Sequence, residues 1–163
     1  MHAEIHFKSI GIIHSPFTRL KGMPIQPAGA DKCQGTVEVF PEYQAGLQDL
    51  EGFSHIILLY HFHQVKACKL MVTPFLDTAE RGLFATRAPS RPNPIGISVL
   101  PLVEITNNIL TVENIDILDG TPLLDIKPYV PQFDHYPVVK RGWLTKTEGK
   151  VSVQKSDDRF LEQ

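Results

Sequence analysis

Apolar and polar positions alternate along several short stretches of this chain, and glycine or proline interrupts the alternation at intervals of about a dozen residues. Runs of this kind, several of them rich in β-branched residues, predict strands over Ile5–Ile13, Thr36–Phe40, Phe53–Phe62, Leu83–Thr86, Ser98–Ile105, Ile109–Leu118 and Leu123–Tyr129. Seven short strands with turns between them fit an all-β barrel or sandwich. One short helix is expected over Tyr43–Leu50, weakened by Gly46 and ended by Gly52. The segment from Ile13 to Gly35 holds three prolines and two glycines between those ends and is too irregular for a strand, so a long loop is expected there.

The same periodicity sorts polar groups onto faces. Over Leu123–Tyr129 it puts Asp125, Lys127 and Tyr129 on one side and Leu124 and Ile126 on the other. The Asp119-Gly120 pair between two apolar runs signals a hairpin turn, with Asp116 and Asp119 as carboxylates able to hold sugar hydroxyls or an amine. In Phe53–Gln64 a two-residue period places His55, His61 and His63 on one face. The H-x-H pair lacks a third ligand at recognisable spacing, with only Asp77 and His135 as scattered candidates, so no metal site is expected. One of these histidines is read as a core residue bonded to backbone, while His63 or Gln64 at the strand end reaches into a pocket.

Pro89, Pro92 and Pro94 hold Ala88, Arg91 and Asn93 out of helical geometry in the run F-A-T-R-A-P-S-R-P-N-P-I-G, Phe84 to Gly96. A pre-ordered loop loses little entropy on docking a ligand, and Arg87 and Arg91 offer forks suited to a carboxylate or phosphate. Gly96 permits close backbone approach. The alternative is a rigid connection carrying two exposed arginines.

With 163 residues, 42% of them hydrophobic, the chain supports one domain with a sizeable core. A net charge of -2 lacks the basic footprint common to nucleic-acid-binding domains, and the late cluster Lys127, Lys140, Arg141 and Lys146 reads as a solvated surface. No apolar run approaches the roughly 20 residues of a membrane helix, and the start carries no signal-peptide core. Cys33 and Cys68 form no C-x-x-C motif. Reduced thiols and a cytoplasmic protein without membrane association are expected. The phosphate-binding and nucleophile motifs G-x-G-x-x-G after a strand, G-x-x-x-x-G-K-[ST] and G-x-S-x-G are missing.

Taken together, F-S-H-I to F-H-Q, F-A-T-R-A-P-S-R-P-N-P-I-G-I-S and D-I-L-D-G-T-P-L-L-D-I-K-P-Y resemble, in order and spacing, the TsaA-like family, known as TrmO. With I-G-I-I-H-S-P-F and P-I-Q-P-A-G, the resemblance covers roughly Ile10 to Pro131. It implies a small closed or nearly closed β-barrel of about seven strands over residues 1–145, without an additional C-terminal domain, while the polar and charged composition from Lys146 onward reads as a tail, 146–163, frayed from Asp157. It further implies an S-adenosylmethionine-dependent methyltransferase, working as a homodimer, that methylates N6 of threonylcarbamoyladenosine at tRNA position 37 in the anticodon loop. Carried over by motif, Pro24, Ile25 and Gln26 form one cofactor wall, His63 and Gln64 a second. Arg87 meets the cofactor's polar end, and Ile97 with Asp116, Ile117, Leu118 and Asp119 contacts its adenosine part. Asp125, Lys127 and Tyr129 shape the substrate side, and Asp119 or Tyr129 accepts the N6 proton. Ile25 stands where bacterial members commonly carry arginine. Other acceptors for the methyl group, or a non-catalytic cofactor sensor, are the rival readings.

Overall fold

The structure is a computed structural model that describes residues 3–146, 155–157 and 160. Six strands close a barrel: β1 (Gly11–His14), β2 (Gly35–Val39), β3 (His55–His61), β6 (Ile95–Thr106), β7 (Ile109–Val112) and β8 (Thr121–Pro128). Around the barrel the order is β1-β2-β7-β6-β3-β8, with every neighbouring pair antiparallel. Two short strands, β4 (Met71–Val72) and β5 (Arg81–Gly82), form a separate pair in the long excursion between β3 and β6.

The alternation in the sequence is what lines the barrel. Ile56, Leu58 and Tyr60 on β3 meet Val37 and Val39 on β2, Leu100 on β6, Leu110 and Val112 on β7, and Leu123 on β8 in one buried cluster. Each large aliphatic side chain removed from water there contributes about 2 kcal/mol. Gly11 is required by space: a Cβ would overlap the Glu38 carbonyl oxygen and lie 3.1 Å from its carbon, at the β1-β2 pair.

Several expectations are corrected. Leu83–Thr86 is a 3-10 turn at Leu83–Ala85, because Thr86 Oγ1 donates to the Leu83 carbonyl at 2.7 Å and replaces a sheet partner with a local one. The helix over Tyr43–Leu50 is two 3-10 segments, Pro41–Leu47 and Leu50–Gly52, divided where Asp49 takes φ 66°. The first strand begins only at Gly11, and Ile5 and Phe7 stand exposed before it. Ile109–Leu118 leaves the sheet after Val112: Asn114 adopts φ 58° and Ile115 N donates to the Cys33 carbonyl. The chain then caps the barrel end, burying Ile115 and Ile117.

Gly120 has the positive φ expected of its turn, 73°, yet β7 and β8 are not partners. Asp119 N and Gly120 N donate instead to Phe17 and Ile13 carbonyls, so the turn lies against the β1 end. The hairpin of this region joins β6 to β7 through Asn107, φ 57°, and Asn108, whose side-chain amide donates to the Val39 carbonyl. On β8 the register slips, with Leu59 opposite Asp125 and Tyr60 opposite Leu123. The slip makes Leu123, rather than Leu124, the buried residue, while Ile126 keeps its contact with the core.

The described tail residues Lys155, Ser156 and Phe160 contact other segments. Gly22 N donates to the Ser156 carbonyl, Ser156 N donates to the Met23 carbonyl, and Ser156 Oγ donates to the Leu20 carbonyl. Phe160 packs edge-on against Phe75, ring centroids 5.0 Å apart, and against the Val72, Leu83 and Ala88 cluster. Residues 147–154, 158, 159 and 161–163 lie outside the described set. Phe160→Ala is expected to speed amide exchange at Ser156 about tenfold while leaving exchange in β3 unchanged, as hydrogen-exchange mass spectrometry would read.

Candidate functional site

A pocket of about 770 Å³ opens at the end of the barrel where β3 finishes and β6 begins. Several separate stretches wall it, Pro74, Phe75 and Leu76 from the excursion after β3 among them. Pro24, Ile25 and Gln26 come from the long first loop, with Met23 buried beneath them. His63 and Gln64 follow β3, where Phe62 N donates to the Pro94 carbonyl and ties the two walls together. The proline-rich run contributes Arg87, Arg91 and the start of β6 through Ile97. The barrel cap supplies Asp116, Ile117 and Leu118, and the late chain supplies Trp143, Leu144, Ser156, Asp157 and Phe160.

The two arginines divide their roles. Arg87 Nη1 donates to Gln26 Oε1 at 3.1 Å, so residues 61 positions apart in sequence meet at the pocket. Arg91 Nη1 donates to the carbonyls of Thr86 at 3.1 Å and Ala88 at 3.4 Å, which makes it a brace of its own loop. Its guanidinium also lies 5.7 Å from the centre of the exposed Phe84 ring.

With Asp157, Asp116 is one of two pocket carboxylates. Ser98 Oγ donates to its Oδ1 at 2.7 Å, and Tyr60 OH lies 3.1 Å from the same Ser98 oxygen. Burial pushes the Asp116 carboxyl up to about 6, against the stabilising pull of the Ser98 hydrogen bond and the Arg87 charge. His63 is shifted the other way: although the residue is exposed, partial desolvation at the pocket and the neighbouring His61 hold its imidazole below the ordinary range, so the neutral form prevails at pH 7.

Asp119 and Tyr129 are not among the residues lining this pocket. Asp119 Oδ1 accepts from Ser15 N at 3.1 Å and lies 3.5 Å from His14 Nδ1, which turns it toward β1. Tyr129 follows the opposite end of β8, its N–H donating to the His55 carbonyl at the start of β3. A strand rising about 3.3 Å per residue carries it well away from Thr121 at the pocket end. Asp125 and Lys127 pair with each other at 2.8 Å. Neither His55 nor His61 is a core residue: both point outward on β3, and His55 Nδ1 bonds to the Ser54 hydroxyl. Among the described residues no three His, Cys, Asp or Glu side chains gather as a metal site. Cys33 and Cys68 are free thiols, Lys127, Lys140 and Arg141 are exposed, and no described helix is long and apolar enough to cross a membrane.

Sequence periodicity contained two residues that were not picked out. Ser98 falls in phase with Gly96 and Leu100, and Tyr60 in phase with Ile56 and Leu58, so each is a polar group at an inward position. Trp143, Ser156 and Phe160 carried no comparable local signal.

A closed antiparallel barrel with a mostly apolar pocket that also carries carboxylates and guanidinium groups is a small-molecule-binding barrel of the kind that holds a nucleoside-sized ligand. Residues 12–135 match the tRNA-methyltransferase O N-terminal domain, and the chain belongs to that family. It is 57% identical over 157 residues to a Pyrococcus abyssi (strain GE5 / Orsay) protein named as a probable S-adenosyl-L-methionine-binding protein, covering 96% of this chain and 85% of that one. To the Escherichia coli (strain K12) tRNA (adenine(37)-N6)-methyltransferase it is 36% identical over 145 residues, 83% of this chain and 62% of that protein. The crystal structure of TrmO from Pseudomonas aeruginosa superposes with a TM-score of 0.72 at 38% identity, covering 86% of this chain and 63% of that chain. The chain therefore spans under two thirds of the length of these last two proteins.

Proposed function

We propose that this chain binds S-adenosylmethionine in the pocket and transfers its methyl group to N6 of threonylcarbamoyladenosine at tRNA position 37, in the cytoplasm. The observation that carries the reading is the convergence of Pro24, Ile25, Gln26, His63, Gln64, Arg87, Ile97, Asp116, Ile117 and Leu118 on one pocket of about 770 Å³. That donor set fits the ligand: a guanidinium for a carboxylate, a carboxylate for hydroxyls, and apolar walls for a purine and a thioether-like chain. When bound, S-adenosylmethionine supplies an electrophilic methyl group on a positively charged sulfur. The protein's part is then to align the acceptor nitrogen and exclude water. Arg87 and Asp116 fix the two ends of the ligand, and the apolar walls keep the site dry. Since Asp119 and Tyr129 lie off the pocket of their own chain, we place proton acceptance at His63, a neutral imidazole that lines it.

We also propose a homodimer built on the outer face of β6. Ile97, Val99 and Val103 stand exposed there in one stripe, and Ile97 belongs to both stripe and pocket, which would put the subunit interface beside the site.

The experiment is to incubate the purified protein with methyl-labelled S-adenosylmethionine and total tRNA, then digest the tRNA to nucleosides. Label confined to threonylcarbamoyladenosine is the expected result. Tight cofactor binding with no label in any tRNA would replace the acceptor by another molecule or the enzyme by a sensor. The protein with 57% identity is named for cofactor binding alone, which gives that outcome its weight.

A further inference from the structure

Three groups from three strands or segments form a line inside the barrel end. Ser98 has a single hydroxyl proton, and the short 2.7 Å contact commits it to the Asp116 carboxylate. Tyr60 OH, 3.1 Å from Ser98 Oγ, must therefore donate its own proton to that oxygen. The chain of donation runs one way, from Tyr60 to Ser98 to Asp116. Tyr60 and Ser98 are both buried, 5% and 2% exposed, and Tyr60 is fixed further by Gly96 against its ring and by Phe62 edge-on at 5.5 Å.

We propose that Tyr60 and Ser98 are positioning residues that hold the Asp116 carboxylate as an oriented, acceptor-only group, so that the pocket selects a ligand offering hydroxyl donors such as the vicinal diol of a ribose. The inference rests on the cofactor reading above and names two groups that reading does not use. A carboxylate with one oxygen already receiving a proton from Ser98 has its remaining capacity for ligand hydroxyls, and a protonated Asp116 would present a donor where the ligand also presents donors. Burial raises the phenol of Tyr60 far above its ordinary range, so it keeps its proton and stays a donor at any working pH.

The groups that bear on the titration of Asp116 can be named. Tyr60 faces it from β3 through Ser98 on β6, and Arg87 favours its ionised form from the proline-rich run. His63, Arg91 and Asp157 line the same pocket, and His63 is neutral at pH 7. The amine of the cofactor titrates identically whichever protein variant is used. A hydrogen bond to the ionised carboxylate lowers its proton affinity, so losing the Ser98 donor moves the ionisation up by about one pH unit from about 6.

The test is the dissociation constant of S-adenosylmethionine measured by calorimetry from pH 5 to pH 8.5 for the wild type, Ser98→Ala and Tyr60→Phe. For the wild type, binding is expected to weaken as the pH falls below about 6. For Ser98→Ala the acid limb is expected to shift upward by about one unit, weakening binding about threefold at pH 6.5 and about eightfold at pH 5.5, with less than about a twofold change at pH 8.5. Tyr60→Phe, which removes one oxygen and keeps the ring on Gly96, is expected to shift in the same direction by less. A wild type that binds the cofactor while both variants weaken it equally at every pH, or not at all, overturns the relay and leaves the cofactor reading standing. A wild type that binds no S-adenosylmethionine overturns both.

Discussion

Arg87→Ala is expected to weaken S-adenosylmethionine binding about 100-fold, equivalent to about 2.7 kcal/mol. The side chain lines the pocket and its Nη1 is held by Gln26 Oε1 at 3.1 Å, so the fork is already oriented before a ligand arrives. Orientation in advance spares the entropy of ordering a long side chain and gives a carboxylate two parallel donors. Arg87→Lys keeps the charge and loses the fork, and a loss of about tenfold is expected for it. The comparison that gives this its meaning is Arg91→Ala. Arg91 spends its Nη1 on the Thr86 and Ala88 carbonyls, so its removal is expected to lower the unfolding free energy by about 1 kcal/mol and affinity by less than that of Arg87. Calorimetric titration with the cofactor, alongside urea unfolding, separates the two. Equal losses of affinity at both positions would show that the loop's rigidity, rather than the Arg87 fork, is what the ligand feels.

Gly96→Ala is expected to destabilise the protein by about 3 kcal/mol, because the new methyl has nowhere to go. Gly96 sits directly opposite Tyr60 across the β3-β6 pair, and a Cβ there would lie 2.5 Å from Cζ and 2.8 Å from Cδ2 of the Tyr60 ring. The ring is buried and cannot swing into solvent, so either the strands part or the ring tilts and loses its 3.1 Å contact with Ser98. Gly46→Ala is the matched control: nothing lies within 4 Å of a Cβ at that position, and a change within about 0.5 kcal/mol is expected. Urea unfolding followed by tyrosine fluorescence measures both. A Gly96→Ala protein as stable as the wild type would mean that the ring can be displaced at little cost, which would also weaken the case for Tyr60 as a fixed donor.

These two positions show what could be read in advance and what could not. The conformational freedom of Gly96 and the stiffness of Pro89, Pro92 and Pro94 are properties of single residues, and they announced a tight, pre-ordered loop without any knowledge of its surroundings. That Gly96 serves to seat the Tyr60 ring, and that Arg87 meets Gln26, depend on segments brought together from across the chain. Ser98 and Tyr60 were legible as polar groups in inward phase, but their purpose required the barrel cap to deliver Asp116 to Ser98. Asp119 stands outside the lining of this pocket for the same reason. Its place beside Gly120 is a local turn signal, whereas the direction of its side chain was settled by docking on Ser15 and His14 of the first strand's end.

The late chain makes the contrast sharpest. Residues 146–163 read as a polar tail, yet Ser156 is tied to Leu20 and Met23, and Phe160 closes on Phe75, adding a further wall to the pocket. By itself the sequence determined where most strands run, which side chains face inward, and where the chain must turn, because alternation and backbone preference act over a few neighbouring residues. Only the tertiary structure decided which strand edges meet, that β1 joins β8 to close the barrel, and that the Asp119-Gly120 turn does not make a hairpin. Alternation specifies a face and leaves the edge open, since every strand edge offers the same backbone donors and acceptors. The site inherits that division: its residue types were visible along the chain, and its geometry exists only because the barrel closes.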